Sequence, residues 1–149
     1  NRDDLTGAAI AATPAGRRFV RTGDVGRLDA DGFLYVTGRS KDMIISGGHN
    51  VFASDIEAAL ASHPAVAEAA VVAVPDERWG ETPHAFVVTT AVAAVTPDQL
   101  AAWLEPRLSR ISHPSGYSFV QALPRNEMGK VLKRELRAPF WAGHADDIA

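Results

Sequence analysis

Apolar and polar residues alternate through "RRFVRTGDVGRLDADGFLYVTG", residues 17–38, on either side of the turn-forming "DADG". A period of two predicts strands, and the runs Val25-Gly26-Arg27-Leu28 and Phe33-Leu34-Tyr35-Val36 predict a hairpin. A two-stranded ribbon is marginal alone in water, so the stretch is expected to join a sheet whose other strands precede residue 1. "RSKD" then breaks the alternation ahead of the short apolar run Met43-Ile44-Ile45, which puts a domain boundary near Lys41.

Downstream the period changes. In "FASDIEAALASHP" the residues Ile56, Ala59 and Leu60 share one helical face, Ser54 stands three residues before Glu57 as in a capping box, and His63-Pro64 ends the helix. "VAEAAVVAVP" and "HAFVVTT" are β-rich runs separated by the turn-prone "DERWGETP", expected as neighbouring strands. "TPDQLAAWLEPRLSRI" opens with Thr96 as N-cap, Pro97 at the first helical position and Gln99 completing a second capping box. Pro106 has no backbone donor, so this helix should kink or restart after Leu104. "YSFVQALP" predicts a further strand and "LKRELR" a final turn or two of helix. Strands, helix, two strands, helix, strand, helix make a compact α+β domain.

Composition removes several classes of function. The 149 residues are 46% apolar with a net charge of −3, acids and bases interspersed, which leaves no basic footprint for nucleic acid or an anionic membrane. There is no cysteine, hence no disulfide, thiolate zinc site or thiol nucleophile, and the five histidines lack ligand spacing; no metal site is expected. No apolar run approaches the ~18 residues of a membrane span, and "NRDDLTGAAIAATPAG" has neither a signal pattern nor an initiating Met. The expectation is a cytoplasmic protein and a piece of a longer chain.

Lysine is scarce. Lys41, Lys130 and Lys133 stand alone among many arginines, and Lys130 follows Met128-Gly129 in "PRNEMGKVLKREL". Gly129 permits a tight exposed loop with the lysine at its tip, a compact charge suited to a phosphate or equally a solvated side chain beside a turn. Lys133 lies on the polar face of "KREL" and is expected to be solvated. Asp24, after Thr22-Gly23 at a strand edge, has the acceptors to hold two vicinal hydroxyls of a ribose, and Arg39 is placed for the same ribose or a phosphate; each also reads as an ordinary surface residue. "SGGHN", with Gly47, Gly48 and His49, offers consecutive backbone N–H groups for an anion or narrow ligand, or else a plain loop.

Together these segments resemble one family, the adenylate-forming enzymes: acyl-CoA synthetases, aryl-CoA ligases, peptide-synthetase adenylation domains and beetle luciferase. "TGD", "GR.KDMI..GG.NV...DIE", "VPDERWGE" and "LPRNEMGKVLKREL" occur in the family's order over roughly residues 17–137. The resemblance implies that residues 1–40 are the hairpin end of the large N-terminal adenylation domain. Residues 41–149 would be the small mobile C-terminal lid, a three-stranded sheet flanked by helices plus a short two-stranded ribbon.

The implied activity is AMP-forming acid–thiol ligation: a carboxylate and ATP, with Mg2+ held mainly by the N-terminal domain, give an acyl-adenylate, and CoA takes the acyl group. The resemblance puts Lys130 at the catalytic lysine, Asp24 and Arg39 at the nucleotide, and Lys41 at the hinge where the lid pivots between half-reactions. It puts Gly47, Gly48 and His49 at the thiol tunnel, and Trp79 and Arg78 against CoA; Trp79 reads equally as an anchor of the local core and Arg78 as a solvated side chain. Partners implied are the N-terminal domain, a fatty or aryl acid, ATP and CoA. A carrier-protein pantetheine as acceptor is one alternative, and a noncatalytic module retaining the fold is another. Two positions depart from the family pattern: Ser112 stands where the family often has lysine, and Pro106 interrupts the second helix. The family's Gly/Ser/Thr-rich phosphate loop is not within the 149 residues, so the chain alone is expected to be inactive.

Overall fold

The computed structural model describes residue 7 and residues 9–90 and 94–144. The chain divides into two compact units, Asn1–Lys41 and Asp42–Ala149.

The first unit holds two antiparallel ribbons. Strand β1 (Ile10–Ala12) pairs with β2 (Arg18–Val20), and β3 (Asp24–Leu28) with β4 (Leu34–Arg39). The hairpin expected around "DADG" is therefore β3–β4, whereas Arg18–Val20 turns back to an earlier strand. Asp29 makes the turn: its Oδ1 accepts from the N–H groups of Asp31 (3.0 Å) and Phe33 (2.9 Å), and these backbone donors hold its carboxyl below the usual range. A bulge between Val25 and Gly26 shifts the register. Alternation then puts Leu28, Leu34 and Val36 on one face and Arg27 and Tyr35 on the other, with the Arg27 guanidinium 4.5 Å from the Tyr35 ring centre.

The second unit is built on one mixed sheet. Its strands are β5 (Met43–Ser46), β6 (His49–Phe52), β7 (Val66–Asp76), β8 (Gly80–Thr89) and β9 (Gly116–Phe119). The path runs β6-β5-β8-β7, and β9 lies parallel to β8. The expected three-stranded sheet, β7, β8 and β9, and the expected ribbon, β5 and β6, are both present and belong to one five-stranded sheet. The β5–β6 ribbon is joined to β8 through Ser46 opposite Gly80, and Glu81 Oε2 accepts from the Ile45 N–H at 2.9 Å.

The continuous apolar run of β7 is explained by burial on both faces. Val71 and Ala73 join Ile56, Leu60, Leu100 and Leu104 in one core, from helices α1 (Ala53–Ala61) and α2 (Pro97–Leu104). Ala70, Val72 and Val74 form the other with Phe86 and Leu123, covered by Leu136 and Phe140 of α3 (Lys133–Trp141). That helix is longer than the expected turn or two and includes Pro139. His84, half-buried between Phe86 and Phe140, has its pKa pushed down by loss of solvent, and its Nε2 lies 2.9 Å from Ser118 Oγ.

The Thr96/Gln99 capping box forms, and α2 ends at Leu104 ahead of Pro106 as its missing donor requires. The Ser54/Glu57 box does not form. Phe52 is the N-cap of α1, and no side chain caps it. Glu57 turns instead to the open edge of β7, where its Oε1 accepts from the Val71 N–H at 2.6 Å and meets Lys133 Nζ at 2.7 Å. Lys133 is thus not simply solvated: it and Glu57 are each 23% exposed, a partly buried pair joining helices from opposite layers.

Glu57→Ala should destabilise the second unit by about 1.5–3 kcal/mol, the scale for a hydrogen bond to a charged group. Lys133→Met should cost less, because Val71 keeps its acceptor. Urea unfolding followed by tryptophan fluorescence checks this; an unchanged midpoint for Glu57→Ala would remove the pair from the account of stability.

Candidate functional site

Lys130 is exposed, and it stands on the returning arm of a closed loop rather than at the expected tip, its carbonyl accepting from the Asn126 N–H at 3.0 Å. Arg125 and Val131 form a bridge at its base, and Leu132 N–H donates to the Pro124 carbonyl at 2.8 Å. Inside, Asn126 Oδ1 accepts from the N–H groups of Met128 (3.1 Å) and Lys130 (2.9 Å), while Gly129 N–H donates to the Asn126 carbonyl. Gly129 has φ +79°, a conformation that any side chain would oppose. Arg125 braces the loop from outside, donating from Nη1 to the Gly129 carbonyl at 2.6 Å and from Nη2 to Glu68 Oε2 on β7 at 2.8 Å. The loop thus has its backbone directions fixed and one primary amine pointing out of a hydrogen-bonded frame. Met128, 90% exposed beside it, offers an apolar contact of the same loop.

The other end of β7 carries the second group of candidates. Asp76 Oδ1 accepts from Arg78 N–H (2.9 Å) and Trp79 N–H (2.8 Å), fixing the turn into β8. Gly47 and Gly48, with φ of +54° and +79°, form the two-residue turn between β5 and β6. Gly47 N–H donates to the Trp79 carbonyl at 2.8 Å, and a Cβ on Gly47 would stand 2.5 Å from the Trp79 ring. The six-membered ring of the indole therefore abuts bare backbone, and the side chain remains 42% exposed, at once a local anchor and an open surface. The Arg78 guanidinium stacks 4.6 Å from that ring, so it is not merely solvated. The expected row of free N–H groups in "SGGHN" is shortened, since that of Gly47 is committed to Trp79. His49 Nδ1 lies 3.2 Å from the Gly47 carbonyl.

In the first unit Asp24 and Arg39 face each other across β3 and β4, with Arg39 Nε donating to Asp24 Oδ1 at 3.1 Å. Both are exposed, and together they present a carboxylate and a guanidinium on one face. Lys41 is exposed in the 3-10 turn Ser40–Asp42, where the two units divide. Ser112 Oγ lies 3.0 Å from Ser109 Oγ in a short 3-10 turn. Among the described residues no helix is long and apolar enough to cross a membrane, and no group of three His, Asp or Glu side chains is placed to hold a metal ion.

Sequence reasoning missed Asn126, Arg125, Glu68 and Asp76 as organisers of these two loops. Asn126 and Asp76 had a local signal, since each starts a turn that its own side chain closes. Arg125 and Glu68 had none, being 57 residues apart in the chain.

Residues 55–130 match the AMP-binding enzyme C-terminal domain. The chain is 46% identical over 130 residues to a fatty acid–[acyl-carrier-protein] ligase of Streptomyces coeruleorubidus, covering 87% of this chain and 25% of that protein. It is 45% identical over 137 residues to a 2-succinylbenzoate–CoA ligase of Bacillus cereus, covering 92% and 27%. In structure it is similar to ATP-bound MatB from Rhodopseudomonas palustris, with TM-score 0.81 and 36% identity over 93% of this chain and 27% of that one. The chain spans about a quarter of the length of each. With its adenylate-forming motifs in order and its second unit on the same fold, the chain belongs to the AMP-binding enzyme C-terminal domain family.

Proposed function

We propose that the chain is the C-terminal part of an ATP-dependent, AMP-forming acid–thiol ligase of the acyl-CoA synthetase type. Such an enzyme joins a carboxylate to the α-phosphate of ATP, releasing pyrophosphate, and the thiol of CoA then attacks the acyl carbon and releases AMP. In this reading residues 1–40 end the large adenylation domain and residues 41–149 are its mobile lid. ATP and its Mg2+ are held mainly by the N-terminal part.

One observation supports the reading above others. The Lys130 loop is tied to Glu68 and the Gly47–Trp79 platform to Asp76, eight residues further along the same strand. At roughly 3.3 Å per residue these anchors are about 25 Å apart, too far for both loops to serve one small site at once. A unit carrying an ammonium at one end and a narrow glycine–indole surface at the other suits two successive reactions, each using one end. Lys130 supplies positive charge while the acyl-phosphate bond forms. A charge about 4 Å from the developing anion contributes about 4 kcal/mol at an effective dielectric of about 20. Rotation then brings Gly47, Gly48, His49, Trp79 and Arg78 to the thiol. Asp24 and Arg39 bind the nucleotide, the carboxylate accepting from ribose hydroxyls. Lys41 is the pivot, an exposed long side chain that stays solvated in either state.

A carrier-protein pantetheine is the second reading for the acceptor, favoured by the identity to the Streptomyces ligase, whose name specifies an acyl-carrier protein. Thioester formation from a preformed acyl-adenylate, with CoA and with a loaded carrier compared, decides between them.

The 149-residue chain alone should release no pyrophosphate with any acid; sustained turnover would sink the proposal. In the full-length enzyme Lys130→Ala should lower pyrophosphate release by ~10²–10³, the scale for losing one preorganised charge, and leave thioester formation from supplied acyl-adenylate nearly intact. Equal losses in both steps would make the lysine structural.

Lys41→Pro should do the reverse. Proline fixes φ near −65°, removing the torsional freedom a pivot needs, so single-turnover thioester formation should fall while adenylation persists. Thioester formation at the wild-type rate would place the pivot elsewhere.

A further inference from the structure

We propose that Arg125 is a positioning residue for Lys130, acting through the peptide bond that joins Gly129 to Lys130. The inference rests on Lys130 as the amine of the adenylating step. A peptide unit is planar, so holding its C=O and its N–H fixes the whole plane. Arg125 Nη1 holds the Gly129 carbonyl at 2.6 Å, and Asn126 Oδ1 holds the Lys130 N–H at 2.9 Å. With no Cβ on Gly129 to resist, this plane would otherwise turn at little cost. Its orientation sets the direction in which the Lys130 side chain leaves the backbone.

The same guanidinium reaches Glu68 Oε2 at 2.8 Å, and Glu68 belongs to β7, which is paired with β8 along almost its whole length. The loop is thus referred to the long β7–β8 ladder through one side chain. Arginine fits because its planar fork serves two acceptors in fixed directions, whereas an ammonium is a point charge on a flexible stem. Arg125 and Glu68 are 41% and 44% exposed, and ion pairs that open to water add little to folding stability. Removing Arg125 should therefore disturb geometry and leave stability alone, which separates positioning from a structural role.

The test uses Arg125→Ala and Arg125→Lys in the full-length enzyme, with Lys130→Ala as reference. A misplacement of about 1 Å costs on the order of 10²-fold in rate, so Arg125→Ala should lower kcat for pyrophosphate release roughly 10- to 100-fold. KM for ATP and acid, thioester formation from preformed acyl-adenylate, and Tm should be unchanged, and Arg125→Lys should recover only part of the rate. Equal loss in both half-reactions, or a lowered Tm, would overturn positioning in favour of a structural role. Wild-type adenylation by Arg125→Ala, with Lys130→Ala inactive, would overturn the inference and leave the function standing. A silent Lys130→Ala would overturn the proposed function itself. Amide hydrogen exchange in the 149-residue chain reads the peptide plane without activity. Arg125→Ala should speed exchange at Lys130 while β7 stays protected, and unchanged exchange at Lys130 would refute the clamp.

Discussion

Strand β7 is buried on both faces and bonded to β8 on one side, which leaves its other edge as a row of unpaired donors and acceptors. Such an edge invites pairing with another chain unless side chains occupy it. Glu57 reaches around from one helical layer to take the Val71 N–H, and Lys133 comes from the opposite layer to meet the same carboxylate oxygen. Trp141 Nε1 donates to the Ala73 carbonyl two residues along. Helices α1 and α3, which lie on opposite sides of the sheet, are therefore held at its rim by polar contacts as well as by their separate cores.

The stiffness of β7 has a second use. Its first residues anchor the Lys130 loop through Glu68 and Arg125, and its last residue anchors the turn that presents Trp79. Both loops close their own backbone hydrogen bonds through Asn126 and Asp76, so each is a preformed object at one end of a bar. Relative movement of the two is opposed by the same ladder that makes the core. That ladder leaves the two loops little freedom within the second unit, and the chain divides at the exposed turn Ser40–Asp42.

The ribbons of the first unit obey a different balance. Leu28, Leu34 and Val36 are each more than 60% exposed, while Arg27 and Tyr35 stack on the opposite face and Asp24 pairs with Arg39 across the strands. Two strands cannot bury an apolar face by themselves. The cation–π contact and the ion pair need no second layer, since each is satisfied in water.

How much of this was legible in the chain depended on range. Local chemistry announced itself: the "DADG" hairpin, the Thr96/Gln99 box, the stop before Pro106, the apolar runs of β7 and β8 and the motifs that mark the family all follow from neighbours a few residues apart. Glu57 shows where local reasoning fails. Ser54 and Glu57 have capping-box spacing, but a bare donor on the edge of β7 competes for the carboxylate, and only the assembled sheet supplies that donor and Lys133 with it. Arg125 with Glu68, and Gly47 with Trp79, meet likewise across tens of residues, where no spacing rule operates. The sequence by itself determined most of the strands and helices and which lysine follows the glycine of a tight exposed loop, because those depend on backbone preference and period. Tertiary structure alone decided how that lysine is aimed and how the ribbon joins the sheet, because both depend on hydrogen-bond partners that exist only once the strands are side by side.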